Sequence, residues 1–156
     1  MNTLKLETRG DNQVVVTRRF KASPEFLYRA HTEADLIRKW MLGPPGYTMP
    51  VCISENRPGG KIRFEWAHAE HGGFYLTGEY VALDPYTKIK HVERMHLPDP
   101  TPDNHVTTTF EKDGDHTVLK VVMSLPSSEA REAMLASGMD EGMEASYRNL
   151  DELAAA

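Results

Sequence analysis

The chain has 156 residues, enough for one domain spanning residues 1–156 that buries roughly two-thirds of its unfolded surface. Its 23 acidic side chains outnumber 18 basic ones, which argues against a phosphate-backbone partner needing clustered Lys and Arg, so no nucleic acid is expected. Cys52 is the only cysteine, no apolar leader stands in Met1–Glu7, and no run approaches the roughly 20 apolar residues of a membrane span. These features point to a cytoplasmic protein without disulfides.

Val14–Phe20 is β-branched and reads as a strand, after which Ser23-Pro24-Glu25 supplies an N-cap and a proline at the first helical position. A short helix is predicted from Pro24 to His31. Thr32 with Asp35 resembles a second capping pair, and Leu36, Ile37 and Trp40 share a helical face that Gly43-Pro44-Pro45-Gly46 ends. From Tyr47 to Leu125, turn residues separate six strand-like segments at about 47–55, 61–67, 74–83, 87–97, 105–112 and 116–125. With the first strand, these make seven in an antiparallel meander.

The turn Arg57-Pro58-Gly59-Gly60 re-aims the chain just before Lys61–Trp66, where alternation sends Ile62, Phe64 and Trp66 to one face. Pro98–Asn104 is too proline-rich for a strand and reads as a loop at one end of the sheet, a plain connection or a lid. In the last segment Leu135, Met139, Met143, Tyr147 and Leu150 recur at helical spacing. Glu132 would spoil that apolar face and Ser137 with Asp140 looks like a fresh cap, so a break is expected near Ser137-Gly138, with the main helix running from about Gly138 to Leu153. Gly142 and Ser146 flank the methionine stripe, and close helix–sheet packing is the simplest reason for a glycine there.

Chemical motifs are sparse, and no cofactor is expected. His68-x-x-His71 falls at a glycine-flanked hairpin tip without a third ligand nearby, so no metal is expected. Cys52 lies between Val51 and Ile53 in a strand and reads as a small apolar group. No phosphate-cradling loop precedes a helix, and no Gly-x-Ser-x-Gly elbow is present. Alternation in Lys88–Met95 puts Ile89, His91, Glu93 and Met95 on one face. Inward, that face would give a pocket one polar wall. The opposite register would bury Val92 and leave the charges in water.

Phe20-Lys21-Ala22-Ser23-Pro24, Trp40-x-x-Gly43-Pro44, Arg57-Pro58-Gly59-Gly60, Gly78-Glu79-Tyr80 and Ser137-Gly138-Met139-x-x-Gly142 together resemble the AHSA1-like branch of the START/Bet v 1-like superfamily. Their order and spacing agree from about Val14 to Leu153. The resemblance implies an α+β helix-grip fold: a seven-stranded curved antiparallel sheet around a long C-terminal helix, two short helices after the first strand, and a cavity between sheet and helix. The family commonly carries bulky apolar residues where His91 and Glu93 stand here.

The first functional reading is therefore a non-catalytic binder of a small, mainly apolar molecule. Its expected lining is Trp40, Phe64, Trp66, Tyr80, His91, Glu93, Met95, Phe110, Met139, Met143 and Tyr147. The second is a cyclase-, hydratase- or isomerase-like enzyme with His91 and Glu93 as acid and base, helped by Tyr80. A third is a stress-related interaction module like the Hsp90 activator that names the family. That activator carries an additional N-terminal domain, so a chaperone partner is not expected. Exposed β edges make a homodimer reasonable.

Overall fold

The computed structural model describes residues 3–156. Eight strands and four helices follow one another as β1 (Lys5–Arg9), β2 (Gln13–Phe20), α1 (Pro24–Thr32), α2 (Ala34–Trp40), β3 (Tyr47–Ser54), β4 (Lys61–His68), β5 (Phe74–Asp84), β6 (Lys88–His96), β7 (Asn104–Asp113), β8 (His116–Ser124), α3 (Ser128–Ala136) and α4 (Met139–Ala155). All strands join one antiparallel sheet in the order β1-β2-β8-β7-β6-β5-β4-β3.

The expected sheet had seven strands; the eighth is β1. Its sequence, Lys-Leu-Glu-Thr-Arg, carries no apolar alternation, and it is extended because it pairs with β2 across the turn at Gly10. The α+β helix-grip arrangement otherwise stands, with the meander β3 to β8 closed onto β2. One concave face collects Val14, Val16, Phe20, Ile62, Phe64, Leu76, Tyr80, Ile89, Val106, Phe110, Leu119 and Val121, and Tyr147 and Leu150 of α4 join that core.

Local chemistry explains the breaks. The Ser23 hydroxyl accepts from the Phe26 N–H, and Pro24 needs no partner at the first helical position. The expected Thr32–Asp35 cap does not form: the Thr32 hydroxyl donates to Tyr28 O inside α1, and Glu33 starts α2 with no side-chain cap. In the Arg57–Gly60 turn, Gly59 has φ +80°, and a Cβ on Gly60 would stand 1.8 Å from Glu55 O. Gly59 N–H donates to Tyr80 O (2.8 Å) and Tyr80 N–H to Gly60 O (3.0 Å), so the turn clamps β5 where its pairing with β6 shifts register.

The break near Ser137-Gly138 is present, with Gly138 at φ +80° between α3 and α4. Ser137 does not cap α4, because its hydroxyl donates back to Met134 O. Around Gly142 a Cβ would meet nothing within 4 Å, so close packing is not what keeps a glycine there. The expected Pro98–Asn104 loop ends one residue earlier, because Asn104 pairs with Glu93 and opens β7, and it is tied down by Thr101 N–H to Met95 O and by Arg94 to Asp103. Among the described residues, no helix is long and apolar enough to cross a membrane.

Candidate functional site

The inward face of β6 adds a polar pair to a concave wall that is mostly apolar. Ile89 is buried at 3%, and period-2 alternation carries His91, Glu93 and Met95 to the same side. The register settles the orientation. His91 lies opposite Tyr80 and Val106, both core residues, and Glu93 lies opposite Gly78 and Asn104. The register with Val92 inward is not adopted.

His91 Nε2 stands 2.6 Å from Glu93 Oε1. A carboxylate only accepts, so Nε2 carries a hydrogen, and in the neutral ring Nδ1 is the acceptor. That Nδ1 is shut off from solvent and has no partner. Asn104, one strand over, is 7% exposed; its Nδ2 reaches only Met134 Sδ at 3.9 Å, and its Oδ1 also lacks a partner. Among the described residues these are the two buried side-chain polar atoms left unpaired. The His91 and Glu93 side chains keep 18% and 23% of their surface, with buried Tyr80 and Val106 beside His91 and half-buried Gly78 and Met95 beside Glu93.

A third inward group escaped the sequence reading. His31 ends the apolar face of α1 one turn after Leu27, whose carbonyl accepts its Nδ1–H at 2.6 Å. Its ring packs on Trp40 (4.8 Å) and Phe110 (5.3 Å). Burial pushes the imidazole down to about 4, with His91 nearby adding to the effect, so His31 is neutral at ordinary pH with a free Nε2 lone pair. It retains some accessible surface. The i, i+4 spacing from Leu27 was the available signal.

Tyr80 is positioned differently from its expected role. Ser54 donates to Thr32 O (2.6 Å), so the Tyr80 hydroxyl must donate to Ser54 Oγ (2.7 Å). Burial pushes this phenol up to about 12. Its proton is committed, which leaves a lone pair and no ready acid.

The remaining expected residues separate into groups. Trp40 is buried, donates to Ala30 O and stacks on Tyr147, which meets Phe20 edge-on. Phe64 packs against Trp66, whose N–H donates to Met41 O and whose ring stacks on Phe74. Phe110 meets Tyr28 and His31. Met95, Met139 and Met143 are partly buried against the core, as is Met134. The aromatic residues are therefore packed core, and the polar cluster is accompanied by softer methionine side chains.

Arg18 was also missed, although Val14, Val16, Arg18 and Phe20 alternate on one face. It is 2% exposed and forks onto Glu144 (3.0 Å) and Asp151 (2.7 Å) of α4, with its guanidinium over the Phe20 and Tyr147 rings. Burial opposes its charge, but the two carboxylates outweigh that and raise its pKa. Cys52 donates weakly to Ala34 O, and burial raises its thiol pKa, which suits an inert group. His68 Nδ1 accepts from the Glu70 and His71 N–H groups. Among the described residues no three His, Cys, Asp or Glu come together to hold a metal.

An open cleft of about 760 Å³ lies between the Leu42–Tyr47 loop and the outer side of α4. It includes none of His91, Glu93 or Asn104, and neither unpaired buried atom lies in it. The polar end of the concave wall is the better candidate.

The model of the family described as Activator of Hsp90 ATPase homolog 1-like protein matches residues 21–155. The chain belongs to the AHSA1-like family. A Rhodobacter sphaeroides protein of known structure is 29% identical, covers 98% of both chains and superposes with a TM-score of 0.91. A Chromobacterium violaceum protein is 25% identical over 92% of this chain and 97% of its own, with a TM-score of 0.76. A Mycobacterium smegmatis protein, 21% identical over 98% and 96% with a TM-score of 0.86, shows the shared AHSA1-like fold alone. No curated protein matches the chain.

Proposed function

We propose that this AHSA1-like protein binds a small, mainly apolar molecule between the concave sheet face and the α3–α4 segment, with His91, Glu93 and Asn104 fixing its polar end. The observation that carries this reading is the pair of buried, unpartnered atoms, His91 Nδ1 and Asn104 Oδ1, on a mostly apolar wall. A buried acceptor without a partner costs about 1–3 kcal/mol, and a ligand that supplies one recovers it. Apolar burial adds about 25 cal/mol per Å² removed from water, and the methionines adapt to the ligand's shape. Native mass spectrometry of gently purified protein tests this: a retained small molecule, lost in Asn104→Leu, is expected. A bound-free protein whose wall is filled by its own side chains would overturn it.

The 2.6 Å His91–Glu93 contact favours a second reading, proton transfer. His91 Nδ1 takes a proton from a carbon acid beside a carbonyl, Glu93 balances the imidazolium, and the proton returns to a different carbon, giving an isomerisation. Solvent-deuterium incorporation into a cyclic enone, abolished by His91→Gln, is the expected result. Equal incorporation with and without protein would end it.

A further inference from the structure

The inward polar groups are unequal in kind. Nearly every obligate N–H donor on this side is already used: Trp40 on Ala30 O, Trp66 on Met41 O, and His31 Nδ1 on Leu27 O. Among the described residues the one buried cation, Arg18, is neutralised by two carboxylates. What remains free is mostly acceptors, His91 Nδ1, Asn104 Oδ1, His31 Nε2 and the second oxygen of Glu93, with the Asn104 Nδ2 donor held only by the Met134 sulfur. Thr108, Ser146 and Tyr147 carry hydroxyls that serve in either role.

The Glu93 carboxylate on such a wall disfavours an anion beside it. Glu93 has no basic partner beyond the His91 imidazole, and Asn104, directly opposite in the ladder, brings its oxygen within cross-strand reach of roughly 5 Å. A primary ammonium has three N–H donors, enough for the second oxygen of Glu93 and for Asn104 Oδ1 together. Turning the Asn104 amide toward it breaks only the 3.9 Å contact to sulfur. We infer that the ligand is a cationic amphiphile: an apolar body with a primary amine head that Glu93 and Asn104 receive, and that fatty-acid-like carboxylates are rejected.

This inference rests on the binding reading and sharpens it. The test uses three probes with one chain length, dodecylammonium, 1-dodecanol and dodecanoate, each below its micellar concentration, titrated calorimetrically into the full chain at pH 7. Dodecylammonium should bind at least about tenfold more tightly than dodecanoate, a difference of about 1.4 kcal/mol, with the alcohol between them. Glu93→Gln should erase the preference for the amine while leaving the alcohol within about twofold. Asn104→Leu, which fills the same place with an apolar group, should weaken amine and alcohol alike. Equal binding of all three probes would overturn the head-group assignment and leave the cavity standing. Binding of none would overturn both. Tightest binding by dodecanoate, or an amine preference that survives Glu93→Gln in a protein with the wild-type circular dichroism, would also refute the assignment.

Discussion

At Gly142 a methyl group would meet nothing, whereas at Gly60 it would collide with the Glu55 carbonyl. Gly142→Ala should therefore stabilise the protein by about 0.5–1 kcal/mol through helix propensity, and Gly60→Ala should destabilise it by about 3 kcal/mol or more, both read from urea midpoints. Sequence made these two glycines look alike as family landmarks; only the surrounding atoms separate them. His31 has a pH signature. Its folded value of about 4 lies below the ordinary 6.5, so the unfolded chain takes up a proton first as pH falls. The stability it contributes is intact above about pH 6.5 and is lost progressively toward pH 4. Between pH 7 and pH 5 this amounts to at most about 2 kcal/mol, and His31→Phe should lose that part of the dependence while retaining what the carboxylates impose. Alternation put His91 and Glu93 on one face, and pairing with Tyr80 and Val106 decided that this face is inward. Asn104 was not, because it follows a proline-rich loop and its membership of β7 is decided by pairing with Glu93.

Among the elements, α4 is held by more than its apolar stripe. Arg18→Met removes the partner of Glu144 and Asp151, leaving two carboxylates against the sheet, and should cost about 3 kcal/mol. Hydrogen exchange should localise the loss to α4 and β2; uniform acceleration throughout the chain would contradict such a clamp. The Leu135–Leu150 periodicity made the helix legible, and Glu132 betrayed its break. Its ionic clamp was hidden because Arg18 and its partners are more than a hundred residues apart, and no local pattern joins them. Helix α3 contrasts with α4: none of its residues is buried, so the two segments of one apolar run have unequal holds on the core.

For the molecule as a whole, strand number was misread by one because β1 has no core face of its own. Meander and helix order were legible, since each turn carries its own glycine or proline signal. The closing step was not written locally: β2 enters the sheet beside β8, with Gln13 bonded to Ser124 across 111 positions. Such long-range pairing places refolding in the slow range of milliseconds to seconds, with the entropy of a very large loop spent before β2 finds its place. A chain ending at Asp113 should remain protease-sensitive, and stopped-flow fluorescence of the full chain should show the slow phase. During synthesis, then, the first long strand waits exposed until nearly the last quarter of the protein has emerged, and its valine-rich edge is the part most in need of shielding in that interval.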